Sequence, residues 1–235
     1  EQLGHYFHVH TANNGRDGLA QAIELAPDLV VCDVMLPEMN GFDITRRIRA
    51  EFQTCHIPVV LLTALSSGEH QLQGIDAGAD AYIPKPFSTR FLLTNIIRII
   101  EQREKIRKRF SNDPGFFEVN IAENEADRKF LDRLHFIIEK NLDNTQFSVD
   151  EFAAAVKLGR TLFYKKVKGL TGYSPNEYIR LVRLKQAATL LNTGDYTVSE
   201  VTYKVGMNDP FYFSKCFKAQ FGIPPSAYLK RVKAG

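Results

Sequence analysis

The feature that most narrows what this chain can fold into is an internal repeat. Phe163, Lys165, Lys168, Gly172, Pro175 and Tyr178 return fifty residues later as Phe213, Lys215, Lys218, Gly222, Pro225 and Tyr228. Six identities in sixteen positions, in one order of aromatic, basic, glycine, proline and aromatic, mean that one supersecondary unit of two or three helices is used twice. Two copies make a paired module rather than a solenoid. Each copy holds a short amphipathic helix with its lysines outward, closed by Gly172 or Gly222 where a helix C-terminus takes a left-handed residue. A short basic helix displayed twice suits the groove of a nucleic acid duplex.

Charge divides the chain in the same sense. Residues 1–125 carry 12 Lys and Arg against 17 Asp and Glu, a net −5, whereas residues 126–235 carry 18 against 10, a net +8, together the +3 of the whole chain. A basic second half joined to an acidic first half fits a polyanion-binding domain attached to one that does not bind polyanions. No apolar run approaches the roughly 18 residues that a membrane span needs, and no signal peptide opens the chain, so a cytoplasmic location is expected. Cys32, Cys55 and Cys216 are far apart and lack CxxC spacing, which argues for reduced, buried thiols and against a disulfide framework or a zinc site.

The first half alternates between strand and helix. Residues 7–11 alternate like a strand and residues 16–24 read as a helix before Pro27. The run 29–32 suits a strand buried on both faces and ends at Asp33. A helix over 42–52 leads to a second apolar run, 59–62, ending at Thr63. A helix over 67–77 then precedes a brief strand, 81–83, with Lys85 just beyond. This order predicts a parallel α/β sheet with Asp33, Thr63 and Lys85 at C-terminal strand ends, the edge where open α/β sheets bind ligands. A carboxylate, a hydroxyl and an ammonium there can manage a phosphoryl group: Asp33 as nucleophile, Thr63 donating to a phosphoryl oxygen and Lys85 neutralising charge.

As a set, Asp33 with Met35, Leu36, Pro37, Met39, Asn40 and Gly41, then Thr63-Ala64 and Pro84-Lys85-Pro86-Phe87, closely resembles the receiver domain of two-component response regulators. The resemblance covers about residues 1–100. It implies a flavodoxin-like fold, phosphorylation of Asp33 by a histidine kinase domain with Mg²⁺ assisting, and the backbone carbonyl of Met35 as a further Mg²⁺ ligand. Residues 78–82 match the family's approach to its last strand, which makes Tyr82 the expected aromatic switch beside Thr63. One departure stands out. Receivers begin with a central strand ending in an acidic pair, and this sequence opens after that strand. A gap is therefore expected between the strands at 7–11 and 29–32, together with weak or absent Mg²⁺ binding and inefficient phosphorylation of the chain as it stands.

Residues 91–110 read as a long helix with a basic tail, 103–109, and residues 111–125 as a turn-rich connector. The expected organisation is thus a receiver over 1–100, a linker over 101–125 and a second domain over 126–235. Helix starts in that domain are legible. Ser148 with Glu151, Ser174 with Glu177 and Thr197 with Glu200 form capping boxes, Pro175 takes a first helical position, and Asp209-Pro210 caps another helix. Helices are predicted over 127–141, 148–156, 160–170, 175–192, 198–204, 210–220 and 225–232. Two helix-turn-helix pairs emerge, with glycine turns at Gly159 and Gly206. Ile179, Val182, Leu184, Ala187, Ala188 and Leu191 supply a shared core.

Residues 126–232 resemble the DNA-binding domain of AraC-type transcription regulators, notably through residues 205–210 and 212–218. That resemblance implies two recognition helices entering successive major grooves, about 34 Å apart. By motif position the expected contacts are Arg160, Thr161, Tyr164 and Lys165 in the first helix, and Phe211, Tyr212, Ser214 and Lys215 in the second. Their chemistry agrees: Arg and Lys donate to guanine, Thr and Phe touch the thymine methyl, and Tyr and Ser reach phosphate. Phe163, Val167, Phe213 and Phe217 take the inward face, and for Phe211 a core position competes with groove contact. The sequence therefore reads as a regulator, not an enzyme: it binds double-stranded DNA, partners a histidine kinase domain and dimerises through its receiver. It is either free-standing or the cytosolic end of a hybrid sensor of nutrients such as glycans. Two other readings remain, a degenerate receiver serving only as a phosphate-independent scaffold, and an aspartate-nucleophile phosphatase. The latter needs a second Asp where Met35 stands.

Overall fold

A computed structural model of the chain describes residues 2–64, 73–112 and 124–234. The chain divides into two compact units, Glu1–Lys105 and Ile106–Gly235. The expected connector over 111–125 and the first part of the helix over 67–77 lie largely outside the described residues.

From the N-terminus a short 3₁₀ turn, Gln2–His5, precedes α1 (Gly15–Leu25), β1 (Val30–Asp33), α2 (Gly41–Ala50), β2 (Val59–Thr63), β3 (Ala81–Pro84) and α3 (Thr89–Asn112), the last of which begins in the first unit and ends in the second. The strands form a parallel sheet in the order β1-β2-β3, with Asp33 opposite Leu62 and Thr63 opposite Pro84. Central β2 is almost wholly buried because a parallel strand with helices on both faces meets no water. Ile48, Val59 and Leu61 anchor the core on the α1/α2 side, and Val60, Ile83, Leu92 and Ile96 the core on the α3 side. Arg49, near the end of α2, ties this together. Its guanidinium donates to the carbonyls of Gly78, Cys55 and Ile57 and pairs with Asp80, whose carboxylate also accepts from the Val59 amide.

Two expectations need correction. Residues 7–11 are not a strand; apart from Phe7 their side chains are exposed, and a strand with no ladder partner beside it gains nothing for its backbone groups. β1 is half-buried rather than buried on both faces, since among the described residues it has a ladder neighbour on one side only.

The second unit is helical: α4 (Glu125–Lys140), α5 (Val149–Ala155), α6 (Arg160–Thr171), α7 (Pro175–Thr193), α8 (Val198–Lys204), α9 (Pro210–Phe221) and α10 (Pro225–Ala234). All three capping boxes form, at Ser148, Ser174 and Thr197, and the Asp209 side chain accepts from the Phe211 amide. Gly172, Gly194 and Gly222 end helices at φ 81°, 76° and 79°. Each module has its own aromatic core. Phe152 meets Phe163 edge to face at 4.9 Å in the first, and Phe217 contacts Phe213, Phe221 and Tyr228 in the second. The α7 residues named above as a shared core are all buried.

The turns of the two pairs are matched differently from the expectation. The left-handed position before α9 is Gly206 (φ 68°), but before α6 it is Lys157 (φ 59°), while Gly159 sits at φ −65° as the N-cap. Lys157 and Gly206 make the same contacts: each amide bonds three residues back, to Ala154 and Tyr203, and the next amide reaches Ala153 and Thr202. The repeat offset is therefore forty-nine through the turn and fifty from the recognition helices onward, because the second copy holds one more residue between turn and helix. Cys216 is half-buried rather than buried.

Candidate phosphoryl-acceptor and nucleic-acid sites

At the C-terminal edge of the sheet, Asp33 ends β1, Thr63 ends β2 and Lys85 follows β3. The Lys85 ammonium is ion-paired with Asp33 Oδ2, and the other carboxylate oxygen accepts from the Met35 amide at 3.1 Å. The Lys85 amide donates to the Thr63 carbonyl at 2.6 Å. Three residues far apart in sequence are thereby joined at one edge, with Asp33 and Lys85 partly exposed and Thr63 fully buried. Tyr82 is half-buried and pairs with Leu61, so it shares a sheet face with Thr63, two residues further along β2. Its ring packs so closely on Gly74 that a Cβ there would lie 2.8 Å from Tyr82 Cδ2.

Asp33 is held in place by tight packing behind it. A Cβ on Gly41 would stand 2.5 Å from the Asp33 carbonyl oxygen and 2.9 Å from Val34 Cα, and the Gly41 amide donates to the Val34 carbonyl at 3.0 Å. Only a glycine lets α2 start this close to the end of β1. The neighbouring Cys32 thiol is pushed up to about 12, first by burial and then by the Asp33 carboxylate, so it stays protonated and unreactive.

For a divalent cation, this edge offers the Asp33 carboxylate, with the Met35 carbonyl as the further ligand that the sequence led one to expect. No group of three or more His, Cys, Asp or Glu among the described residues could hold a metal ion. A hard cation that seeks octahedral oxygen ligands is incompletely served by one carboxylate already paired with a lysine, so these residues alone do not fit Mg²⁺.

In the second unit, Arg160, Thr161, Tyr164, Lys165, Phe211, Tyr212 and Lys215 are exposed and Ser214 is half-buried, whereas Phe163, Val167, Phe213 and Phe217 are fully buried. Phe211 is 89% exposed, which removes its core reading. Arg160 is paired with Asp150 at 3.0 Å across the first helix pair, and the Arg180 guanidinium donates to the Tyr212 hydroxyl at 3.4 Å.

Not every lysine of these helices faces outward. Lys166 is fully buried in an ion pair with Asp127, which lies at the start of α4 and also accepts from Asn124. Helical spacing carried this signal, since Lys166 lies between Phe163 and Val167 on the inward arc. Arg183 of α7 was equally missed: its guanidinium donates to the carbonyls of Gly206, Asn144 and Asn141, fixing the second turn. Its burial lowers its pKa from the ordinary arginine value, against an opposing pull from Asp143. Among the described residues, no helix is long and apolar enough to cross a membrane.

Comparison with known proteins matches residues 2–97 to the response regulator receiver domain and residues 152–231 to a helix-turn-helix domain. The chain is 38% identical over 229 residues to "Histidine kinase P4" of Formosa agariphila, covering 97% of this chain and 17% of that protein. It is 35% identical over 139 residues to "Response regulator ArlR" of Staphylococcus aureus, covering 57% of this chain and 62% of that one. Among solved structures, the BeF3-activated receiver domain of DrrB shares 40% identity over 43% of this chain and 82% of its own, with a TM-score of 0.40. The chain thus spans less than two thirds of the length of these curated relatives. It is a response regulator receiver domain followed by an AraC-type helix-turn-helix domain.

Proposed function

We propose that this chain is a sequence-specific DNA-binding transcription regulator whose activity is set by phosphorylation of Asp33. A receiver followed by an AraC-type helix-turn-helix domain is the architecture of a DNA-binding response regulator, typical of a protein that regulates rather than catalyses. The observation that carries the finer reading is the meeting of Asp33, Thr63 and Lys85 at one sheet edge. The carboxylate there can attack a phosphoryl donor, and the Lys85 ammonium can offset the charge that the acyl phosphate adds. Tyr82, on the same sheet face as Thr63, is the group that would register the change. The phosphoryl donor is a histidine kinase domain, and receivers of two copies pair. The output is the pair of exposed faces on α6 and α9, with Arg160, Thr161, Tyr164 and Lys165 on one and Phe211, Tyr212, Ser214 and Lys215 on the other. The likeness over 97% of this chain to "Histidine kinase P4", of which it spans 17%, supports the reading of an output segment of a larger histidine kinase over a free-standing regulator.

Two measurements test this. Borohydride reduction after exposure to a small phosphodonor should convert Asp33 to homoserine, and the Asp33→Asn variant should show no reduced residue; trapping at another carboxylate would refute the assignment. Because these residues alone offer Mg²⁺ one carboxylate, the readout is the position modified rather than its extent. For the output, Lys165→Ala and Lys215→Ala should each relax base preference in duplexes enriched from a randomised pool and cost about 1–3 kcal/mol of binding. Unchanged preference in both would show that other residues read the sequence.

A further inference from the structure

The helices α6 and α9 are held differently at their C-terminal ends, and the difference centres on one arginine. α6 closes at Gly172, whose amide donates to the Lys168 carbonyl at 2.8 Å. The next two amides turn elsewhere: Tyr173 donates to the Thr171 hydroxyl, and Ser174 to the Glu177 carboxylate of its capping box. The Gly169 and Leu170 carbonyls, which those amides would serve in a continued helix, are thus left at the negative end of the helix dipole. Arg107 of α3, in the same unit, meets both. Its Nη2 donates to the Gly169 carbonyl and its Nε to the Leu170 carbonyl, the latter at 3.4 Å. The side chain lies so close to the turn that a Cβ on Gly172 would stand 3.2 Å from Arg107 Cδ. Two donors in a planar guanidinium fit two neighbouring carbonyls in a way that a single ammonium does not.

α9 ends on the matching glycine in other surroundings. A Cβ on Gly222 would meet nothing within 4 Å among the described residues, and Phe221 at that end packs on Phe217 at 4.7 Å. The inner faces differ in the same sense, since Lys166, paired with Asp127 of α4, has Cys216 at the matching place. α6 is therefore fastened through charged groups to α3 and α4, which precede both modules, and α9 through aromatic packing within its own module. Arg107 grips the backbone of α6 one turn beyond Lys165. A helix held there moves as a body, so its exposed side chains shift together when the grip is lost.

Resting on the DNA-binding reading, we infer that Arg107 is a positioning residue for base recognition. By clamping the last turn of α6 it sets how that helix presents its exposed face, so the sequence preference of the α6 half-site depends on α3 and that of the α9 half-site does not.

The full chain would be assayed by fluorescence anisotropy on a duplex that it enriches from a randomised pool, and on the same duplex with single base pairs changed in either half-site. The half-sites are assigned by the positions at which Lys165→Ala and Lys215→Ala relax base preference. At the positions that the wild type discriminates, each change should weaken its binding about fivefold or more. In Arg107→Ala the changes in the α6 half-site should lose most of that effect, while those in the α9 half-site keep theirs and so report a folded helical unit. Arg107→Lys keeps the charge but not the paired donors, and should lose part of the discrimination in the α6 half-site and none in the other; it supplies the test if Arg107→Ala does not fold. Full discrimination in Arg107→Lys would overturn the inference and leave Arg107 as a charge alone. An equal loss in both half-sites, or a loss in neither, would overturn it as well, with DNA binding intact. Failure of the wild type to enrich any duplex would overturn the DNA-binding reading itself and this inference with it.

Discussion

Gly41 and Lys166 show how single residues fix the two sites. Gly41 is required by proximity and not by its backbone angles, since any Cβ would collide with the backbone of Asp33 and Val34. Gly41→Ala should therefore cost about 1–3 kcal/mol in receiver stability, read by urea unfolding, and should lower the yield of trapped Asp33 because the carboxylate loop is displaced. Unaltered stability and trapping would show that the loop yields freely. Lys166 and Asp127 pose a different case, a charge pair with almost no access to water. Lys166→Met removes the ammonium from a buried carboxylate and should destabilise the helical unit by about 3–5 kcal/mol, whereas Lys166→Met with Asp127→Leu should recover much of that loss. A double-mutant cycle in urea checks this, and equal losses in single and double variants would contradict it.

Elements were legible where local chemistry sets their ends. The capping boxes mark α5, α7 and α8 because a hydroxyl and a carboxylate three residues apart satisfy each other's helix-end groups whatever surrounds them. Their carboxylates are held below the ordinary glutamate range. For Glu177 the Ser174 hydroxyl leads and its amide follows; for Glu151 and Glu200 the amides of Ser148 and Thr197 come first. A lowered folded-state pKa gives stability that is present above the ordinary glutamate pKa and lost as pH falls through the lowered value. The gap in melting temperature between wild type and Glu177→Gln should accordingly be widest near neutral pH and close on acidification, and a gap independent of pH would contradict this role. The misreadings have tertiary causes. Residues 7–11 have strand-like alternation but no ladder partner among the described residues, and the turn expected at Gly159 takes its left-handed residue at Lys157. Arg183 looks like any surface arginine of an amphipathic helix until the turn at Gly206 is brought against it. At the acceptor edge, the order of strands and the motif residues named Asp33, Thr63 and Lys85 beforehand. The ion pair between Asp33 and Lys85, fifty-two residues apart, became visible only in the folded chain.

At the scale of the molecule, an acidic α/β unit is followed by a basic helical unit, and under the proposed function one carboxylate, Asp33, links receiving in the first to binding in the second. Phosphorylation adds charge and strong acceptor oxygens beside Lys85, so a response in the helical unit has a defined chemical origin. A scaffold indifferent to phosphate would need none of this. The most direct test is the affinity of the native protein for an enriched duplex, measured before and after phosphorylation, in wild type and in Asp33→Asn. The expected result is a change of affinity in the wild type that is absent from Asp33→Asn. Equal affinity of the wild type in both states, or an equal change in both proteins, would contradict it.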